Sequence, residues 1–437
     1  MQNLANIPLS ARLGILFAVG TLLAGLLNLA IYRLAWNQRT ISPWGPAPPG
    51  AAPRGWLDRL PIIGWLRLSR ETGIHGRGFW IRPLLVELFC GLGLAALYWW
   101  EVEYGLFHEA VSPEMIGWFR MATPRSLELV HQQFLAHVIL FALMLVATFI
   151  DIDEKSIPDE ITVSGTLLAL VLAAVMPWSL LPGEMFIGPL TSSSPPALHV
   201  EFLHVASPGW WPLALDGLRP LGLALGLLCY LMWCFALLPR IWHGRYGARR
   251  ALRYFLARIV RDPSSRIVAV LAVLGTAGIT GVWVLGGPAW AGLFTALVGM
   301  AAGGGIVWVV RLIAYAVMRK EAMGFGDVTL MAMIGAFCGW QASLIIFLLA
   351  PLAGLVIGLA HLALRRGQVI PYGPFLCLAT AVVVVFWASV WDAVYGYFAT
   401  LGWLIPVIAV FSLAAMGGLL WLLQGVKRLL RIGEFGG

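Results

Sequence analysis

The chain has 437 residues, of which 60% are hydrophobic and only 11% charged, and its formal net charge is +8. Its mean hydropathy is +0.85. A soluble domain averages roughly 25% charged residues, so this composition excludes a water-soluble globular protein and predicts an all-α, polytopic membrane protein.

The first apolar run, residues 13–32, is long enough to span, since about 20 residues cross the hydrocarbon. A signal peptide would have a shorter apolar core and a small-residue cleavage site. The polar stretch 35–82 follows. It is Pro-rich at first and carries Arg39, Arg54, Arg59, Arg67, Arg70, Arg77 and Arg82 against Asp58 and Glu71. That excess marks a cytoplasmic loop and puts the N-terminus outside. Span two starts at Pro83 and contains Glu87. Span three, residues 132–150, ends in Asp151-Ile152-Asp153-Glu154, and span four, 161–178, follows Pro158-Asp159-Glu160. A Pro/Ser-rich external loop, 179–211, leads to span five, 212–238. Residues 240–266 then hold eight arginines against Asp262, with Leu252, Phe255, Leu256, Ile259 and Val260 on one helical stripe. This predicts an amphipathic helix lying on anionic lipid, not a nucleic-acid patch. Spans six (267–286) and seven (290–318) lead to Arg319-Lys320 and the stretch Glu321-Ala322-Met323-Gly324-Phe325-Gly326-Asp327. Spans eight (327–339), nine (342–364), ten (after Ile370-Pro371-Tyr372-Gly373-Pro374) and eleven (402–424) complete the chain. About eleven spans with the N-terminus outside put the C-terminus in the cytoplasm, and every basic loop lands on that side. The five cysteines all lie in apolar runs without a Cys-x-x-Cys, so they read as buried thiols rather than a disulfide or zinc framework.

Two carboxylate clusters thus fall at the same membrane face. Asp327 opens span eight behind two glycines, and by itself it reads equally as a helix cap. Asp151 follows the C-terminal end of span three, where the helix dipole opposes negative charge. Unless it simply faces water, it needs a functional reason, because carboxylates near the hydrocarbon are functional candidates. Two close carboxylates in a low-dielectric site share one proton. The ionised one can take a proton from water and the protonated one can donate to a carbonyl or leaving amine. The clusters are far apart in sequence, so their pairing is an expectation about packing.

The ordered motifs resemble those of prepilin peptidases, the type IV leader peptidase family of Gly-x-Gly-Asp membrane aspartyl proteases. Leu27-Asn28 through Tyr32-Arg33-Leu34, Leu60-Pro61-Ile62-Ile63-Gly64-Trp65 and Pro83-Leu84-Leu85-Val86-Glu87-Leu88 are similar to family segments. Asp151 through Ile157-Pro158-Asp159 resembles the first catalytic segment. Gly324-Phe325-Gly326-Asp327 with Gly335-Ala336-Phe337 and Gly339-Trp340 resembles the second. Ile370-Pro371-Tyr372-Gly373-Pro374-Phe375 is similar to the family's Ile-Pro-Phe-Gly-Pro-Phe. The resemblance implies catalytic Asp151 and Asp327, with Gly324, Gly326, Asp153, Asp159 and Glu87 in supporting or substrate-binding roles. It implies cleavage after a glycine in the short basic leader of prepilin or pseudopilin substrates of a type IV pilus or type II secretion system, at the inner membrane. No cofactor is implied for proteolysis, and partners are these substrates and the lipid bilayer, with no nucleic acid. Many family members also methylate the new N-terminus with S-adenosylmethionine, and that activity stays open here.

The chain departs from the pattern in places. Residues 35–82 lack the family's two Cys-x-x-Cys pairs, so no metal is expected and the loop is expected to be more mobile than in zinc-bearing relatives. Packing of Trp56, Leu60, Ile62, Ile63, Trp65 and Leu66 against the membrane face is expected to order it. The remaining organisation reads as 1–34 first span, 83–178 spans two to four, 179–288 an insertion with two extra spans, 289–400 spans seven to ten, and 401–437 an added C-terminal span. Two alternatives are an intramembrane protease of the presenilin type, which carries its aspartate inside a span, and a transporter or assembly scaffold, which would show inverted repeats.

Overall fold

The computed structural model describes residues 7–105, 124–187, 197–238, 261–318, 323–363 and 371–429, together with Ala257. The described residues form a helical bundle. Its helices are α1 (Leu9–Leu34), the short α2 (Ile63–Leu68) and α3 (Thr72–His75), α4 (Ile81–Tyr98), α5 (Pro124–Glu154) and α6 (Asp159–Val175). After a two-stranded hairpin, β1 (Pro182–Ile187) and β2 (Ala197–Phe202), come α7 (Pro220–Leu237), α8 (Pro263–Leu285), α9 (Gly287–Met318), α10 (Phe325–Ala363), α11 (Gly373–Val385), α12 (Trp387–Leu401) and α13 (Leu404–Leu429). Eight are long and apolar enough to cross a membrane, or nine if α11 and α12, which meet at 88°, form one broken span. Helices suit this solvent because they satisfy every backbone polar group internally.

Helix overlaps each of the eleven apolar segments read from the sequence, although segment five is helical only over Pro220–Leu237 and segment ten is divided between α11 and α12. Segments eight and nine are the two arms of α10, which meet at a break at Gly339, where φ is 81° and ψ 172°, a conformation glycine adopts without steric cost. Segment four, α6, has 17 residues and is only about 26 Å long.

The first arm of α10, from Phe325 to the break, is the centre of the bundle. Leu330, Met331, Met333, Ile334 and Ala336 are all fully buried, as expected of a helix that is apolar all round. This arm is shorter than the hydrocarbon is thick, and it is accommodated because protein encloses it. It packs backbone to backbone on α9. A Cβ on Gly299 or on Gly335 would fall far inside contact distance of the other's carbonyl oxygen. Lipid offers no hydrophobic drive for helix association, so small residues that permit close approach supply the packing.

The end of the arm remote from Asp327 is covered by the hairpin and the chain after it. Trp387 Nε1 donates to the Pro182 carbonyl at 2.7 Å, Trp340 Nε1 to that of Val205 at 2.8 Å, and Gln341 Nε2 to that of His204 at 2.7 Å. These donors satisfy carbonyls that irregular chain would otherwise bury unpaired. The hairpin pairs antiparallel, with Pro182 opposite Phe202. The amphipathic stripe expected at 252–260 lies outside the described residues.

Candidate active site

Asp151 lies inside the last turn of α5 rather than beyond its end, as the sequence suggested. The helix runs on to Glu154 and stops at Lys155, whose φ is 56° and whose amide reaches back to the Asp151 carbonyl at 2.8 Å. The dipole at that end still opposes its charge. The acidic cluster splits by direction. Asp151 turns inward and is 4% exposed. Asp153 turns outward and takes two bonds from Arg82 Nη1, at 2.8 and 2.7 Å, while that guanidinium sits 4.4 Å from the Phe149 ring centre. Glu154 accepts the Trp36 and Asn37 amides at 2.6 and 2.7 Å, which ties the end of α5 to the end of α1.

Asp327 is the third residue of α10 and is 7% exposed. Its Oδ2 accepts the Gly324 amide at 3.2 Å, the reciprocal half of a capping box. The capping reading therefore holds for this side chain.

Three separate segments converge on Ile157. A Cβ on Gly326 would lie 3.0 Å from the Ile157 Cβ, and one on Gly373 would lie 3.0 Å from its Cδ1 and 2.5 Å from Asp151 Oδ2. Glycine at both positions is what lets the starts of α10 and α11 close on the turn after α5. The two carboxylates come within each other's electrostatic reach, and Cys377 on α11 feels both. Asp151 Oδ2 has no hydrogen-bond partner among the described residues.

Residues 257–359 match the type IV leader peptidase family. The matched stretch contains Gly324, Gly326, Asp327 and the Gly299–Gly335 contact; Asp151 lies outside it. Curated relatives include the prepilin leader peptidase/N-methyltransferase of Stutzerimonas stutzeri, 37% identical over 112 residues, which are 25% of this chain and 37% of the relative. The same description is given to proteins of Escherichia coli (strain K12), 37% identical over 92 residues (21% and 41%), and of Xanthomonas campestris pv. campestris, 40% over 105 residues (23% and 36%). The alignments thus span only about two fifths or less of these relatives' length. No solved structure matches the chain.

Among the other residues singled out by the leader peptidase resemblance, Glu87 stands apart from the aspartates. It is buried on α4, where its carboxylate accepts the Ile62 amide and the Trp65 indole N–H, the latter at 2.9 Å. It docks the 35–82 segment. Asp159 is exposed in the first turn of α6, a position its charge favours.

In the 35–82 segment Trp65 is 1% exposed, whereas Trp56 is 72% exposed and Leu60, Ile63 and Leu66 also lie on the protein surface. The short α2 has one inward face, Gly64, Trp65 and Leu68, so its other side chains point away from the bundle. Two buried carboxylates also hold the segment. Glu71 takes a two-pronged bond from Arg54, at 3.1 and 2.7 Å, and Arg54 also donates to the Ser42 and Gly45 carbonyls. Asp58 accepts the Gly55 amide at 2.7 Å, Arg67 Nε at 2.7 Å and Arg70 Nη2 at 2.9 Å. Arg67 above all holds the Asp58 carboxyl low, at about 2.

Sequence reasoning passed over Arg311 and assigned no role to Tyr372. Arg311 on α9 acts electrostatically on Asp327 and stands 5.8 Å from the Phe325 ring centre. An arginine inside an apolar span was the available signal.

Proposed function

We propose that this protein is a membrane aspartyl endopeptidase that removes the short basic leader of prepilin-like proteins at the cytoplasmic face of the inner membrane. The observation that carries the reading is the convergence of the Asp151 and Asp327 segments at Ile157 and Gly373. One carboxylate, ionised, takes a proton from the attacking water, and its protonated partner hydrogen-bonds and protonates the carbonyl oxygen. Collapse of the tetrahedral adduct returns a proton to the departing amine, and the pair is ready for the next turnover. Both aspartates lie within about one turn of a helix end, which supports cutting at the membrane edge rather than in its depth. Asp159 and Glu160, exposed just after Ile157-Pro158, give a basic leader opposite charge to meet. The arginine excess of 35–82 supports the cytoplasmic placement.

The relatives' names include N-methyltransferase. Beside the end of α1, a cleft of about 420 Å³ lined by Arg33, Leu34, Ala35, Trp36, Gln38 and Glu160 is in the size range of small-molecule sites. Trp36 as a stacking face and Gln38 as a hydrogen-bonding group would hold S-adenosylmethionine there. When bound, that donor supplies an electrophilic methyl group.

The test is cleavage of a prepilin-type precursor by purified protein in detergent. Asp151→Asn and Asp327→Asn each lower kcat by at least about a thousandfold, in line with loss of a member of a catalytic unit, while membrane insertion is unchanged. Full cleavage by either variant removes that aspartate from the mechanism.

A further inference from the structure

Tyr372 is the residue immediately before Gly373, where an added Cβ would lie 2.5 Å from Asp151 Oδ2. Its ring packs on the hydrophobic core, yet its hydroxyl is buried and has no hydrogen-bond partner among the described residues. A buried, unpaired O–H is costly, and Tyr and Trp donors are usually paired when they are buried. Burial, and then the nearby Asp327 charge, push this phenol up to about 12, so it stays a proton donor across the working range. Asp327 Oδ2 is already taken by the Gly324 amide. The leader peptidase resemblance puts phenylalanine at this place in the motif, so a plain ring suffices for packing and the hydroxyl is an addition in this chain.

We infer that the Tyr372 hydroxyl is a third catalytic group of this site, donating a hydrogen bond to the carbonyl oxygen of the peptide bond under attack. The inference rests on the proposed peptidase reading. When the water oxygen bonds to the carbonyl carbon, the carbon–oxygen π pair moves onto oxygen. Tyr372 stabilises that developing charge and keeps its own proton, while the proton that neutralises the oxygen comes from the aspartate pair. A donor fixed in place before the charge forms, in a buried site, acts with little reorganisation.

The test is Tyr372→Phe, which removes one oxygen and installs the residue the motif otherwise carries, so folding is preserved; an unchanged melting curve in detergent checks this. With a prepilin-type precursor, kcat falls about 10- to 100-fold, at or below the loss seen when an oxyanion donor is deleted, and KM changes less than about twofold. A hydroxyethylene peptide mimic of the tetrahedral adduct loses affinity by a similar factor. A kcat within twofold of wild type overturns the inference, as does a loss confined to KM. If Tyr372→Phe is fully active while Asp151→Asn and Asp327→Asn are dead, only the tyrosine's role fails. If the wild-type protein does not cleave the precursor, the peptidase reading fails and this inference with it.

Discussion

Single side chains in this protein owe their behaviour to direction more than to type. Asp151, Asp153 and Glu154 are near neighbours in sequence, but one is buried at the candidate site and two tie helix ends together. Asp58 shows the same principle in the 35–82 segment. Its carboxyl is held at about 2, whereas an unfolded aspartate titrates at about 3.9. The folded value is the lower one, so unfolded segment binds the proton more readily. The clamp's contribution is therefore complete above about pH 4 and is lost as pH falls towards 2. Hydrogen-exchange protection factors of residues 55–71, corrected for the intrinsic rate at each pH, are expected to be high at pH 6 and to fall between pH 4 and pH 2.5. Asp58→Asn is expected to show low protection at all three, and equal protection of the variant at pH 6 would remove Asp58 from the clamp.

At the scale of elements, the α9–α10 contact sets where Asp327 stands. Gly299 and Gly335 bring the two backbones together about two turns along α10 from the aspartate. Gly335→Val forces the helices apart, since the obstacle is the Gly299 backbone, which cannot swing away. Overpacking of this kind typically costs about 1–3 kcal/mol. The expected result is a lower melting temperature and at least a tenfold loss of cleavage. Gly305→Ala on α9 is the control, because a Cβ there meets nothing within 4 Å, and both properties should stay near wild type. Wild-type cleavage by Gly335→Val would show that the arm's position is set elsewhere.

For the molecule as a whole, the two ends of the bundle are built differently. One end gathers Asp151, Asp327 and the ion-paired 35–82 segment, and the other is closed by the hairpin and its tryptophan donors. The proposed function places the first end in the cytoplasm, on the strength of the arginine distribution. Cysteines placed at Gly76 and Gly247 are expected to resist a membrane-impermeant maleimide in intact cells and to react after permeabilisation. Labelling of either in intact cells would invert the topology and place the aspartates on the wrong side for a cytoplasmic leader.

The sequence alone determined what depends on composition and local order. Apolar runs of about 20 residues located the helices, because the bilayer leaves the backbone few other options. The Gly-x-Gly-Asp stretch and the Asp151 turn marked the candidate site, because charge at a hydrocarbon boundary stands out from its surroundings. Only tertiary structure decided matters that depend on which way a side chain faces. Gly326 and Gly373 are small because Ile157 and Asp151 occupy the space beside them. Asp58 and Glu71, which looked like ordinary loop acids, are the buried knots of the 35–82 segment. Burial of a charge is decided by the partners that surround it, and the arginines that meet these two acids lie 9–17 residues away in the chain, beyond the range of any local pattern.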